Sequence, residues 1–472
     1  MMWITIPALL MAVVHYLVAV RHYGLLTPDG LFVCTQLLMV FGTAKLVDAS
    51  SPVDVTYLQL ITAAVMVYMV ASGVTYLALR TQGGQPRADR PARRAYRVEV
   101  LRPTWRIVLP AVVALALVLL YFQAVGYSAF LEGLRGQLAG DPKDMATLRL
   151  DSYAGDTYLF PGYANQFKNV IFPGLVVVIL TWVFTRSGLR ARLAGVALAG
   201  VAVFGLLGNG QRGAFFLFLI TLAVYVLLVN RRRMSRWALL LPAMGIPFAL
   251  LATYALGRGT RGSDSQLAAV TGDLYRRFFN DNQLSGLAGF RYTHPLPVQN
   301  GADWLQSLLG VLPGNRGSTL ANEIFATLYV STMGTSPPSL WGSVHYNFGT
   351  LGVLAFAAAL GFGLQMLTFQ ALRRPSYNTL ELLGYAGVTA TVGTWAVAGP
   401  DALLNLGLVA YLGLWWWGAR WNRVRARAAA PVVEARPRST PVVFSPPDAR
   451  HGQVPARPVG AAVGASAAGT GR

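Results

Sequence analysis

The sequence predicts an all-α, polytopic integral membrane protein with about 11 transmembrane helices and one large extracytoplasmic loop. Three observations carry this. The chain of 472 residues is 54% hydrophobic and only 12% charged, about half the charge fraction of a soluble protein. Its mean hydropathy is +0.47. Its apolar residues fall in runs of about 20, the length that crosses a bilayer core. Such segments must be helical, because lipid cannot satisfy open backbone groups.

In order, the spans lie near residues 3–20, 25–46, 57–79, 107–127, 169–185, 194–208, 213–229, 237–257, 345–370, 380–398 and 402–418. The first, "WITIPALLMAVVHYLVAV", lacks a basic start and a small-residue cleavage site, so it reads as a retained span rather than a signal peptide. The second is interrupted by Pro28, Asp29 and Gly30, and the sixth is short. Residues 1–427 form the transmembrane domain. The tail over 428–472 is rich in Pro, Ala and Gly with no apolar period, which predicts disorder.

Arginine-rich connections alternate along the chain. They are the loop 81–106, "RSGLRARL", "NRRRMSR", "RRPSYN" and the start of the tail, "GARWNRVRAR". The positive-inside rule makes all of them cytoplasmic. It also accounts for the net charge of +20 without a nucleic-acid partner. Segments 128–168 and 258–344 are then extracytoplasmic. Cys34 is the only cysteine, so neither a disulfide framework nor a Cys-type zinc site is expected.

One stretch breaks the apolar pattern between two spans: "GLLGNGQRGAFFLFLITL", Gly205–Leu222. Arg212 lies there at the outer end of a helix. Gly210 and Gly213 flank it and allow close approach of a ligand, and the first helical amides are free to bind an anion. The first outer segment holds "RLDSYAGDTYLFPGYANQ". Its acidic, aromatic and amide groups, Tyr153 and Asp156 among them, suit sugar hydroxyls and ring faces, and equally suit an interfacial aromatic belt. The second outer segment carries Arg258, Arg261, Arg276, Arg277, Arg291 and Arg316, with His294. Arginine binds phosphate through a planar fork that stays charged. The expected ligand is an anion at the outer leaflet, a pyrophosphate. "ADWLQSLLGVLPG" is too short to span and reads as an interfacial or re-entrant helix. Next, "SLWGSVHYNFGTLGVLAF" places His345, Gly349 and Gly352 at i, i+4 and i+7, on one helix face. The glycines would open a groove beside the imidazole. Glu323 is the second candidate proton acceptor.

This pattern resembles the bacterial O-antigen polymerases, the oligosaccharide repeat-unit polymerases, and more distantly the O-antigen ligases. "GNGQRGAFF" is similar to the family's small-residue–Arg–Gly element. "HYNFGTLGVL" is similar to its Asn-Phe-Gly-x-x-Gly element, and a long outer loop entered through arginines precedes it. Ligases place Asn, Ser or Gln after the histidine, where this chain has Tyr346. The resemblance implies a multi-span, lipid-linked-sugar glycosyltransferase of the bacterial plasma membrane. It implies glycan transfer from undecaprenyl pyrophosphate at the extracytoplasmic face with no metal or other cofactor. A flippase and a chain-length regulator are implied partners. On that reading Arg212, Arg258, Arg261, Arg276 and Arg277 bind pyrophosphate, and His345 or Glu323 takes the acceptor's proton. Arg291, His294, Asn347, Tyr153 and Asp156 bind the acceptor glycan. The rivals are an O-antigen-type ligase, and a transporter or flippase of lipid-linked oligosaccharide. A transporter would bury ionisable residues within its spans, whereas the charges read here gather at the outer face.

Overall fold

The computed structural model describes residues 2–21, 24–81, 97–139, 148, 163–230, 268, 271–272, 275–312, 314–330, 334–371 and 376–429. Two compact units divide after Arg425, and the second, Ala426–Arg472, is described only as far as Ala429. The expected span 237–257, most of the 81–106 loop and the tail beyond Ala429 lie outside the described residues.

The protein is predominantly helical. Among the described residues, seven helices are long and apolar enough to cross a bilayer: Trp3–Val20, Pro28–Leu46, Pro52–Arg80, Trp105–Val125, Tyr163–Thr185, Leu189–Leu207 and Leu340–Phe369. The elements run α1 (Met2–His15, continued by a π-helical turn, Tyr16–Val20), α2 (Pro28–Leu46), α3 (Pro52–Thr81), β1 (Arg97–Glu99), α4 (Trp105–Val125) and α5 (Ala129–Ala139). Next is α6, which joins Tyr163–Gln166, a π-helical turn Phe167–Ile171 and Phe172–Arg186. Then come α7 (Leu189–Leu207), α8 (Arg212–Asn230), α9 (Asn282–Thr293), α10 (Ala302–Leu309), α11 (Leu320–Tyr329) and α12 (Leu340–Ala371). The chain continues through β2 (Ser376–Asn378), α13 (Thr379–Gly393), α14 (Pro400–Asn405) and α15 (Leu408–Ala429).

The suspected break in the second span is that helix's start. Pro28 occupies the first turn, where its missing N–H costs nothing, and the Thr27 hydroxyl caps the Gly30 amide at 3.2 Å. The all-α expectation holds for the architecture, with one short parallel strand pair added. β1 pairs in parallel with β2, with Arg97 opposite Ser376 and Glu99 opposite Asn378. The expected span 380–398 is the 15-residue α13, buried at every position. The expected span 402–418 is split at Gly407 (φ 92°) into α14 and α15.

Two helix layers make the core. In one, α3 packs along α12 with α2 and α9 beside them, around Phe32, Tyr57, Tyr68, Phe290 and Trp341. In the other, α13 packs on α8 and α6 around Leu175, Phe218, Leu383 and Tyr411. The β pair marks one end of the helices, here the strand end. The knot between α7 and α8 marks the opposite, loop end. α4 starts beside β1 and ends where Ser128 and Phe130 bond to Gly208 O, at 2.7 and 3.1 Å. Its 21 residues separate the two ends by roughly 30 Å at 1.5 Å per residue.

Candidate functional site

The loop end is assembled by contacts between distant connections. The Gln166 amide donates to Leu404 O at 2.9 Å, and Leu340 N donates to Ala396 O at 2.8 Å. The knot itself is pinned. Gly208 O takes the two bonds from Ser128 and Phe130, and Gly210 turns through φ 73°, a left-handed conformation that favours glycine. Arg212 is the first residue of α8, and its side chain lies outside what the structure describes. The knot thus sits at the loop end of the helices, with Arg212 at the start of α8.

A cavity of about 210 Å³ opens at the knot, lined by Asn169, Val170, Gly210, Gln211, Gly213 and Asn405 among others. It is smaller than a pocket for a drug-sized ligand and suits a headgroup. Asn169 Oδ1 on its wall and Asn209 Nδ2 in the knot are buried without a hydrogen-bond partner. Gln166 Oε1, beside Gly407, is a third such atom. Buried polar groups are normally satisfied, so the unpartnered Asn169 amide on the wall leaves the cavity an open polar site, with the other two nearby but outside its lining. Within a turn of this cavity begins an apolar groove of about 540 Å³ between α6, α7 and α8, lined by Pro173, Leu180, Phe184, Ala199, Phe218 and Val229 among others. Sequence reasoning missed Asn169 and Asn405, which look like ordinary amides at span edges.

The other predicted residues fall into separate groups. Arg291 is spent on Asp54: Nε donates to Oδ1 at 2.7 Å and an Nη to Oδ2 at 2.5 Å. Asp54 is fully buried near the start of α3. It also accepts from the Asp48 amide and the Ser51 hydroxyl. The carboxylate holds the Arg291 guanidinium more firmly charged than usual. This fork braces α9 against α3, and the expected acceptor-binding role finds no free fork at Arg291. Asn347 is fully buried and structural as well. Its Oδ1 accepts from Trp304 N and its Nδ2 donates to Ser343 O, so it docks the start of α10 on α12. Arg276 and Arg316 are exposed. Arg277 is placed by backbone only, and Arg258, Arg261, Tyr153 and Asp156 lie outside the described residues.

His345 and His294 do come together. Their rings stack at 6.4 Å with 5° between planes, and Phe290 packs on both. His345 Nδ1 is buried without a hydrogen-bond partner. The groove expected beside His345 is absent. Gly349 has φ 67° and ψ −174°, which breaks α12 in two and ends the shared helix face. Gly352 is covered by Phe348. Glu323 is exposed, and it accepts from Tyr292 at 2.9 Å and Thr319 at 2.7 Å. The Glu323 carboxylate raises the Tyr292 phenol above its usual range.

A carboxyl unforeseen in the sequence lies between these groups and the cavity. Asp401, in the first turn of α14, is one helical turn from the cavity residue Asn405 (i, i+4). Burial pushes its carboxyl above the usual range, and nearby Asp303 adds to the rise. Three residues earlier Ala398 has φ 62°, a strained position for a side chain, and Ala398 N bonds to Pro338 O at 2.7 Å. Among the described residues no group of three or more His, Cys, Asp or Glu gathers to hold a metal.

The expectation that charges avoid the spans is also corrected. His15 and Asp29 form a buried pair at 2.9 Å inside the bundle, and Tyr68 and Ser72 donate to the same Asp29 carboxylate. Lys168, in the π-helical turn of α6, is fully buried, with Nζ 5.5 Å above the Tyr121 ring and no hydrogen-bond partner. His15 stands alone in an apolar run, whereas Asp29 sits in the "TPDG" break and Lys168 in the polar "NQFKN" stretch at a span edge, where sequence reading expects solvent. Against this geometry, no protein-family model, no curated protein and no solved structure matches the chain.

Proposed function

We propose that this protein is a membrane glycosyltransferase of the repeat-unit polymerase kind. In this reading the loop end faces outside the bacterial plasma membrane. There the protein joins oligosaccharide units by transfer from undecaprenyl pyrophosphate to an acceptor glycan. One observation supports the reading: a small polar cavity, with the unsatisfied Asn169 amide on its wall, lies within a helical turn of an apolar groove that shares α6 and α8 with it. A ligand with a charged, sugar-bearing head and a long hydrocarbon tail would match both. The head would sit at the knot, under Arg212 and the first amides of α8, and the tail would lie along the groove.

The acceptor hydroxyl attacks the anomeric carbon. The bond from that carbon to the pyrophosphate oxygen breaks, and the lipid pyrophosphate leaves with its growing negative charge held by Arg212. The hydroxyl proton passes to a base. Asp401 takes this role ahead of His345, because it shares a helical turn with the cavity wall.

The test is Arg212→Lys in a strain lacking its own copy, read as glycan chain length at equal protein level. A charged hydrogen bond contributes about 1.5–3 kcal/mol, and each 1.36 kcal/mol is roughly tenfold in rate. Lysine keeps the charge but loses the fork, so activity should fall more than tenfold and unpolymerised lipid-linked units should accumulate. Normal chains from Arg212→Lys would return this arginine to a snorkelling role. Asp401→Asn should cost about a hundredfold or more. As the deprotonated form is the base, the wild-type rate should fall with decreasing pH at a value above the usual carboxylate range. An unchanged rate in Asp401→Asn would move the role to His345.

The buried His15–Asp29 pair favours a second reading, a transporter of the same lipid-linked ligand. Asp29→Asn separates the two. A transporter would lose flux with its protein level intact, whereas the transferase would keep its turnover per molecule.

A further inference from the structure

At the strand end, a second cavity of about 580 Å³ lies between the start of α4 and the last turns of α15, lined by Thr104, Trp105, Arg106, Trp416, Trp417, Arg420 and Trp421. Its walls are fixed to the β pair. Leu101 N bonds to the Thr379 hydroxyl, and the buried Asn378 amide donates to Gly418 O at 2.7 Å. Arg106 lies between two indoles, its guanidinium carbon 5.7 Å from the Trp105 ring and 5.8 Å from the Trp421 ring. Arg420 sits 5.1 Å from the Trp416 ring. Among the described residues neither guanidinium has a carboxylate partner. Thr104 Oγ1 is buried with no hydrogen-bond partner, and it does not cap α4 as its position would allow. The Trp105 and Arg106 amides have no partner within the helix, whereas Ile107 N already bonds to Thr104 O at 2.9 Å. Trp105 and Trp416 are 70% and 61% exposed, as indoles at a membrane interface are.

We infer that this cavity binds the phosphate of an anionic phospholipid headgroup, a site separate from the knot and independent of the transferase reading. Two guanidiniums within cation–π distance of indole rings place positive charge at the cavity. With the Thr104 hydroxyl and the α4 amides they surround an oxygen-rich monoanion with donors. No carboxylate among the lining residues is available to an ammonium, so a zwitterionic headgroup gains nothing from its positive end. The exposed indoles flank the acyl chains. A free phosphate ion would share the oxygens but not this apolar flank.

The test is delipidated protein in a neutral detergent, with bound lipid counted by native mass spectrometry and melting followed in parallel. Phosphatidylglycerol should bind and raise the melting temperature. Phosphatidylcholine and inorganic phosphate at the same concentration should bind at least tenfold more weakly. The double variant Arg106→Gln/Arg420→Gln should lose at least tenfold of the phosphatidylglycerol affinity. Arg190→Gln/Arg192→Gln, on the same end but outside the cavity, should keep it. Equal loss in both variants would reduce the effect to general surface charge and overturn the site. Equal binding of phosphatidylcholine, or of inorganic phosphate, would overturn it too. If the first double variant fails to fold, the three-ligand comparison on the wild-type chain still decides.

Discussion

Lys168 buries its amine inside the bundle against a single aromatic face. A lone buried cation costs several kcal/mol, and a hydrophobic residue of similar length removes that cost. Lys168→Met should therefore raise stability by about 1 kcal/mol or more, measured as melting temperature in detergent. A lower melting temperature would show that the cation–π contact outweighs desolvation. Arg291 has the opposite balance, because its removal strands the buried Asp54 carboxylate. Arg291→Ala should cost roughly 2 kcal/mol. Most of that should return in the double variant with Asp54→Asn, a coupling that a double-mutant cycle reads directly. Neither pairing was legible along the chain. Asp54 and Arg291 are 237 residues apart, and residue type alone marks Arg291 as available for a ligand.

At the scale of an element, α12 shows where helical periodicity stops being a guide. Its first part, through His345, faces the loop-end histidines, and its second part crosses the bundle beside α3. Gly349 joins them in a region of φ/ψ space open essentially to glycine alone. Gly349→Ala should cost about 1–3 kcal/mol. It should also disturb the stack of His345 on His294, seen as a change in histidine ring shifts by NMR. An unaffected stack would mean that the kink is held by packing alone. The apolar runs placed three of the seven spanning helices, α1, α2 and α4, within three residues of both ends, because lipid leaves a helix no alternative. The other four, α3, α6, α7 and α12, begin five or six residues before the expected spans. Breaks inside such runs are less legible. A glycine in "NFGTLG" serves equally as a small helical residue or as a hinge, and only the packing of Val298 and Phe348 around it decides. The knot was legible for the same reason as the spans, since a polar pentapeptide between apolar runs has few places to go. The cavity beside it was not, because its walls come from α6, α8, α14 and α15.

At the scale of the whole molecule, the alternation of basic connections predicts the loop end outside and the strand end inside. Cysteines placed at Ala88 and at the exposed Gln306, in a chain with Cys34 replaced, test this with an impermeant thiol reagent on intact cells. Gln306 should label and Ala88 should not; the reverse would invert the proposed site along with the topology. The parallel pairing of β1 with β2 also bears on how the chain is made. Glu99 leaves the ribosome long before Asn378, its partner in the ladder. At roughly 5–20 residues per second, the first strand waits on the order of 15–50 s while the intervening helices are inserted. Throughout that interval its hydrogen-bonding edge is open to any other extended segment. The strand is only three residues long and begins with an arginine, two features that make an edge a poor template for aggregation. The ladder thus acts as a clasp that can close only after α12, which precedes β2 in the chain, has been made. A chain cut between α8 and α9 and expressed as two pieces should still meet through it.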